Sequence, residues 1–391
     1  MPGGDDTDGG IEAAVKVLSS LGDVDAEDWD ACAGTANPFL SHAFLSALED
    51  SGAVTAETGW LPRHLVVEDV EGRVVGAMPL YLKGHSYGEY VFDWGWADAY
   101  ERAGGRYFPK LLSAVPFTPV PGPRMLVRPG VDRERIEEVL AGGVVGLVDR
   151  LGVSSAHVNF LPHEQWERFG EFGFLQRTGL QYHWSNAGYA DFDAFLAALS
   201  SRKRKAIRKE RREVAESGLT IRRLIGRDIE DRHWDAFFRF YIDTSDRKWG
   251  SPYLNRRFFA LLGERLSERI LLVVVERDGE PVAGALNLIG DDTLYGRNWG
   301  CTEDYRFLHF EACYYQAIDF AIERGLAKVE AGAQGPHKLQ RGYLPVETYS
   351  AHLIADPRLR DPVADFLVRE RRQVTRERQM LEAESPFRKD G

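Results

Sequence analysis

The spacing of apolar residues changes period along this chain, and each change marks an element. Residues 293–300, TLYGRNWG, alternate and are aromatic, which is a strand pattern. Residues 310–324 keep helical spacing, with Phe310, Tyr314, Ile318 and Ala321 on one face. Gly325 stands where a helix-ending glycine is expected. Residues 327–332 suit a short core strand. Beyond them Gln334, His337, Lys338, Gln340 and Arg341 are interleaved with Gly332, Gly335 and Gly342. Polar side chains on a glycine-punctuated loop after a strand usually face a cleft. Residues 293–344 therefore read as the wall and lip of an active site.

Elsewhere the same reading gives a mixed set of strands and helices. Residues 15–18 form a strand, and 26–33 and 41–48 form short helices, with Ser41 as an N-cap and Pro38 between them. Residues 64–94 hold two apolar runs around Glu71-Gly72, a hairpin that continues into a third strand ending at Trp94. Residues 107–115 have helical spacing. Pro116, Pro119, Pro121 and Pro123 then impose an extended run, because proline fixes φ and lacks a donor. Residues 132–151 are helical and 156–160 are a strand. A helix opens at 188–199, and a basic helix over 201–216 ends near Gly218 and runs into a strand. Helices over 231–249 and 255–266 precede strands at 269–276 and 282–289. A last strand spans 348–354 and a charged terminal helix spans 362–384. Residues 1–12 are acidic and glycine-rich and are expected to be disordered.

The two halves echo each other. Residues 66–80, VVEDVEGRVVGAMPL, match residues 274–288, VVERDGEPVAGALNL. Each run leads into an aromatic strand ending in Trp-Gly, at Trp94-Gly95 and Trp299-Gly300. Each then has a loop and an apolar helix opening on aromatics, Tyr107 with Phe108 and Phe307 with Phe310. Matching order and spacing point to duplication of one α/β unit, since solenoid repeats recur about every 20–50 residues.

Composition narrows the class. The 391 residues are 44% hydrophobic and 28% charged, the profile of a globular chain of two domains. A net charge of −11 excludes a chain built as a whole to coat nucleic acid. Cys32, Cys301 and Cys313 have no paired spacing, which argues for a reducing compartment; Cys301 and Cys313 read as buried apolar thiols. No signal peptide or membrane-spanning run is present, so a cytoplasmic location is expected. There is no His-x-x-x-His or Cys-x-x-Cys pair, no Gly-x-Ser-x-Gly elbow and no Walker loop, so no metal is indicated.

Certain stretches carry a family resemblance. Residues 201–221, SRKRKAIRKERREVAESGLTI, look like the basic helix of the Fem family of aminoacyltransferases. Residues 85–126, HSYGEYVFDWGWADAYERAGGRYFPKLLSAVPFTPVPGPRML, are similar to FemAB-like proteins, as are RKWGSPYL and GAQGPHKLQRGYLP. The resemblance runs from about Asn37 to about Ile354. It implies an α/β fold (mixed α+β) of two tandem GNAT-like acyltransferase domains, at 13–180 and 181–391, with a cleft between splayed strands. It also implies an acyltransferase that joins an activated acyl or aminoacyl group to a primary amine. No tightly bound cofactor is expected, and aminoacyl-tRNA or acyl-CoA would be the co-substrate.

Candidate chemistry follows from that expectation. Arg202, Arg204, Lys205, Arg208, Lys209 and Arg212 on the basic helix are candidates for donor phosphates, of tRNA or of coenzyme A. Ordinary GNAT enzymes hold the coenzyme A pyrophosphate on a glycine-containing loop before the central helix. The equivalent residues 305–311 here lack glycine, and Phe307, Leu308 and Phe310 would block close backbone approach. That departure favours aminoacyl-tRNA over acyl-CoA. Ala103 to Arg106, AGGR, is an alternative anion loop, and Glu311 reads as a helix N-terminal carboxylate. Amide formation needs a base for the amine and donors for the oxyanion. Glu330, His337 and Lys338 are the catalytic candidates, with His309 as a further one; Trp299, Gln334 and Arg341 are candidates for substrate contact. His85, Tyr87, Glu89, Asp93 and Trp94 form a candidate acceptor pocket between the halves for a small amine or peptide. The structural alternative for Asp93 is an ion pair with Arg102 or Arg106. Two other functions fit the same residues: an acyl-CoA-dependent N-acyltransferase, or a GNAT-fold binding module without catalysis.

Overall fold

The computed structural model describes residues 14–248, 252–332 and 335–388. The expected tail at 1–12, the end of the helix expected at 231–249, and Gln334 lie outside them. The first half supplies strands β1 (Ala14–Leu18), β2 (Trp60–Pro62), β3 (His64–Glu68), β4 (Val74–Met78), β5 (Tyr81–Lys83), β6 (Lys110–Ser113), β7 (Leu126–Val127), β8 (Ser155–Leu161) and β9 (Leu175–Ser185). The second half supplies β10 (Leu219–Ile225), β11 (Ile270–Arg277), β12 (Glu280–Ile289), β13 (Thr293–Cys301), β14 (Lys328–Glu330) and β15 (Leu344–Ile354). Both expected hairpins form, β3 with β4 and β11 with β12.

The strands make a four-stranded sheet, β1-β3-β4-β7, and an eleven-stranded sheet, β10-β11-β12-β13-β14-β9-β15-β8-β6-β5-β2. At the centre of the large sheet the halves exchange strands. β9 lies between β14 and β15, and β15 lies between β9 and β8. The division expected at 180/181 falls inside β9. One core spans both halves: Phe39, Phe44 and Leu45 from the first pack with Trp234, Phe258 and Tyr295 from the second. Helix His42–Asp50 is tied to helix Arg256–Leu266 by Arg265, which bonds Ser46 Oγ at 2.9 Å and Asp50 Oδ2 at 2.6 Å. The opposite face of the large sheet carries a second core around Trp184, Val329 and Tyr343, covered by the helix that begins at Leu308 and by the basic helix Ser201–Ala215.

Several expectations are corrected. Residues 107–115 hold a strand, β6, not a helix. β6 lies between β5 and β8 and all four of its residues are buried, so it has no period-two alternation to announce it. Residues 84–93 form a loop, and Trp94 opens helix Trp94–Arg102 instead of closing a strand. The AGGR segment ends that helix: the amides of Ala103, Gly104 and Gly105 bond back to Tyr100 and its neighbours, so none is open to an anion. The sequence echo thus holds for the hairpins and fails after them. In structure it is β7 that pairs with β4 as β13 pairs with β12, and residues 81–125 are an insertion of the first half. The terminal helix is Pro357–Ala383, which begins earlier than expected. Asp356 caps it, its side chain accepting from Arg358 N, and Pro357 occupies the first turn.

Exchanged strands and a shared core make the halves dependent on each other. Chains split at 180/181 and expressed singly are expected to show no cooperative thermal transition, and co-expression is expected to restore one. Calorimetry of each half and of the pair checks this.

Candidate functional site

β13 and β14 run parallel, as neighbours do when a helix crosses between them. They pair only from Thr293 with Lys328 to Tyr295 with Glu330. Beyond that point β13 continues to Cys301, with a register shift against β12 at Leu286/Asn287, and the other chain turns away at Gly332, whose φ is +78°. The gap is a slot of about 80 Å³ lined by Asn287, Arg297, Asn298, Trp299, His309 and Tyr314. A smaller apolar cavity of about 20 Å³ shares Leu286, Arg297 and Asn298 with its lining and is walled by Phe39, Phe44 and Phe117 of the first half and by Leu254 and Phe258 of the second.

Two ionisable groups have polar atoms left unsatisfied here: Arg297, which lines the slot, and Glu330, which is buried one residue before the lining Ala331. Glu330 is buried; Lys328 Nζ lies 3.1 Å from its Oε1, yet neither carboxylate oxygen accepts a hydrogen bond of good geometry. Arg297 has its guanidinium over the Phe39 ring at 4.7 Å and near the Tyr295 ring at 5.9 Å. Its Nη1 donates to Gly296 O at 3.3 Å, while Nε and Nη2 are buried and unpartnered. Burial brings its pKa down to about 10, against the pull of Glu330, Tyr295 and Tyr90. A buried polar group left unpaired costs about 1–3 kcal/mol, so Arg297 is poised for a partner that enters the slot. Sequence reasoning misses Arg297. Its signal is an arginine inside an apolar alternating strand, next to a glycine, at a place where a bulge re-aims the side chain.

Other candidates surround the slot in supporting positions. Lys338 is buried and donates to Ala331 O at 2.6 Å and Gly332 O at 3.1 Å, fixing the turn after Glu330; burial brings its pKa down to about 8, with Arg297 adding to the effect. His337 is exposed, with Nε2 3.0 Å from the hydroxyl of Tyr314, which lines the slot. His309 packs beside Trp299 at 5.5 Å on the slot wall. Arg341 is buried over the Phe310 ring at 3.3 Å, with Nη2 3.0 Å from both Glu210 oxygens, so it ties the turn to the basic helix.

The start of the central helix is closed to an outside anion. Phe307 has a φ of +63°, and the amides of Leu308, Phe310 and Glu311 bond to Tyr305 O and Phe307 O. Glu311, in a π turn spanning Glu311–Tyr315, is held by Arg211 through two contacts of 3.1 Å and by Gln316 at 2.8 Å; burial raises its pKa. The basic helix turns Ile207 and Val214 inward and leaves Arg202, Lys205, Arg208, Lys209 and Arg212 exposed. Arg208 pairs with Asp193 at 2.7 Å and Lys209 with Glu213 at 3.6 Å, while the half-buried Arg204 reaches Ala197 O at 3.4 Å. Among the described residues no group of three or more His, Cys, Asp or Glu side chains is placed to hold a metal ion, and no helix is long and apolar enough to cross a membrane.

A family model, FemAB-like, described as peptidoglycan biosynthesis/recognition, matches residues 20–389. The chain belongs to the FemAB-like family. Among solved structures it is similar to FemX, with a TM-score of 0.55 at 12% identity over 87% of this chain and 98% of that one. It is similar also to the C-terminal DUF2156 domain of a putative lysylphosphatidylglycerol synthetase from Agrobacterium fabrum, with a TM-score of 0.54 at 9% identity over 90% and 96%. At these identities the likeness is one of fold alone, a mixed α/β arrangement around one large sheet. Among curated proteins, the putative 8-amino-7-oxononanoate synthase 2 of Mycobacterium tuberculosis (strain ATCC 25618 / H37Rv) is 23% identical over 319 residues, 75% of this chain and 39% of that protein. The chain thus spans about two fifths of that relative's length. Family and fold together support an acyltransferase-type function.

In this FemAB-like protein the first-half candidates separate. Glu89 and Asp93 are buried in a network centred on Lys110, whose Nζ bonds Glu89 Oε2 and Ser86 Oγ at 2.8 Å and also bonds Asp93. Asp93 therefore pairs with Lys110, not with Arg102 or Arg106; Lys110 lies on β6, the strand the sequence pattern disguised. Lys110 and His157 outweigh burial and hold the Asp93 carboxyl well below the usual range. Burial pushes Glu89 up to about 7 and brings Lys83, which lies 3.7 Å over the Trp60 ring, down to about 7. Tyr87 and Trp94 are exposed, ring against ring at 4.9 Å, and His85 is anchored to Thr58 O at 2.9 Å. Removing the lysine strands two buried carboxylates, so Lys110→Met is expected to cost about 3–5 kcal/mol of stability in denaturant unfolding.

Proposed function

We propose that this protein forms an amide by moving an activated acyl or aminoacyl group to a primary amine in the β13/β14 slot, with aminoacyl-tRNA as the favoured donor. The observation that carries this reading is Arg297, which lines the slot with buried, unpartnered nitrogens, together with Glu330, whose buried, unpartnered oxygens lie one residue before the lining Ala331. Glu330 takes a proton from the acceptor amine. The amine lone pair attacks the acyl carbon, and the carbonyl electron pair moves to oxygen, where the Arg297 guanidinium holds it. The bond to the leaving oxygen then breaks, and that oxygen takes a proton from Glu330. Lys338 keeps the turn in place through the Ala331 and Gly332 carbonyls, and Trp299 and Tyr314 shape the walls.

Two observations support the tRNA donor. The helix start that would cradle a pyrophosphate is filled by the Glu311–Arg211 pair. The exposed cations of the basic helix present a phosphate-binding face in a chain of net charge −11. Such a donor would place the reaction in the cytoplasm. A peptidoglycan-precursor amine is the acceptor that the family description suggests.

Binding of charged tRNA, uncharged tRNA, acetyl-CoA and a longer acyl-CoA, compared at low and moderate salt, tests the donor. Salt-sensitive binding of tRNA is expected, with a shallower salt slope when Arg204, Lys205 and Arg208 are neutralised together. Binding of acyl-CoA alone would overturn the donor assignment, and binding of neither would favour a non-catalytic binding module. Glu330→Gln and Arg297→Met are each expected to lower kcat about 10²–10³-fold with acceptor binding retained. Unchanged turnover in Glu330→Gln would remove it as the base.

A further inference from the structure

We propose that His183 is the positioning residue of Glu330 and the second station for the acceptor's protons, set in that role by Gln181. The inference rests on the reading of Glu330 as base given above.

The geometry starts from an amide whose orientation is decided. Gln181 Nε2 donates to Pro119 O at 2.8 Å, so the side-chain carbonyl of Gln181 points the other way. That carbonyl lies 3.1 Å from His183 Nε2. A carbonyl oxygen only accepts, so a neutral His183 carries its hydrogen on Nε2. Nδ1 is then a bare acceptor, and it faces Glu330 Oε1 at 3.9 Å. The two residues are register partners, since β14 and β9 pair Glu330 with His183. With Glu330 ionised, two acceptors face each other and no hydrogen bond joins them, which matches the unpartnered carboxylate oxygens. With Glu330 protonated, its O–H has an acceptor waiting.

The chemistry calls for such a station. A primary amine enters as an ammonium ion and must lose two protons to become an amide N–H. The leaving oxygen takes one of them. A single carboxylate holds one proton at a time, so the other needs a second acceptor inside a closed slot. Glu330 takes the first proton from the ammonium and passes it to His183 Nδ1. It then takes the second from the tetrahedral nitrogen and delivers it to the leaving oxygen. The protonated His183 releases its proton to solvent when the products leave. The charged groups facing the ring are Glu330 and Lys328 on β14, Arg297 on β13 and Lys338 on the turn beyond; burial and the three cations favour the neutral ring, and Glu330 opposes them.

Imidazole ¹⁵N shifts of the intact protein test the arrangement without any substrate. The expected result is the Nε2–H tautomer at neutral pH, and a lower titration midpoint for His183 in Glu330→Gln. An Nδ1–H tautomer, or a midpoint that Glu330→Gln leaves unmoved, would overturn the proposal. Gln181→Met is a second variant that keeps both titrating groups; it is expected to release the tautomer, and retention of pure Nε2–H would remove Gln181 from the device. In turnover, His183→Asn is expected to lower kcat about 10²-fold near neutral pH, with KM for the acceptor little changed. Activity should recover above the pKa of the acceptor amine, which then arrives with one proton fewer. An equal loss at every pH would mark a merely structural residue. If the wild-type protein turns over no donor and acceptor pair, the amide-forming reading falls, while the tautomer and the Glu330 coupling still decide the dyad.

Discussion

The structure depends on a parallel ladder that is three residues long. Thr293–Tyr295 pairs with Lys328–Glu330, and then the two chains separate. A pair of strands this briefly joined would not hold a gap open alone. β14 is fastened on its other side by β9, which pairs Lys328–Glu330 with His183–Ser185 and goes on to pair nine residues of β15. The exchanged strand thus lets the slot exist: it clamps one lip from behind while helix and turn residues fill the space beyond. The same exchange brings Gln181 and His183, whose strand begins in the first half, to a carboxylate of the second.

Two buried charge clusters differ in how their charges are held. Around Lys110 the carboxylates of Glu89 and Asp93 and the hydroxyl of Ser86 converge on one ammonium. Their mutual attraction offsets the loss of solvent, and they tie the inserted loop 84–93 to β6. At the slot, Arg297 and Glu330 carry the same kinds of charge but do not meet. Each is supported instead by neighbours that leave polar atoms open: aromatic rings for Arg297, and Lys328 for Glu330. Glu89 Oε1 and Asp93 Oδ1 of the Lys110 cluster are unpartnered too, so what sets the second cluster apart is that Arg297 lines a gap, the feature on which the proposed function rests.

How far the sequence could be read follows from this division. The hairpins are legible because two apolar runs flank a tight glycine turn, and the basic helix because Ile207 and Val214 mark one inward face among its charges. β6 is not, because both of its faces are covered and its helix-like spacing has no polar side to contradict it. β9 escapes as well: its first residues are half-buried and it crosses from one half to the other, a feature of topology and not of local pattern. Glu330 is legible as a carboxylate at a strand end beside a glycine loop. Arg297 is not, since its significance lies in what fails to touch it, and only the bulge and the splayed strands reveal that. For Asp93, sequence distance favours the nearby arginines as partners, whereas the sheet brings Lys110 across from a strand whose pattern mimics a helix.

The basic helix is mechanically part of the site. Glu210, the acidic residue within its cationic run, accepts from Arg341 and from the Tyr315 hydroxyl. Arg341 also donates to His337 O at 2.9 Å, and Lys338 in the same turn grips the carbonyls that follow Glu330. Arg211, one residue on, grips Glu311 and Asp319 of the central helix. Solvated charge runs need no such anchors, and long basic side chains on a free helix would move independently of the slot. Here the basic helix, whose exposed face is proposed to meet phosphates, is braced on one side to the turn behind Glu330 and on the other to the helix lining the gap. A polyanion bound along that face would therefore be held in fixed register with Glu330 and Arg297, which is the geometry needed to deliver the end of a long donor to a narrow slot.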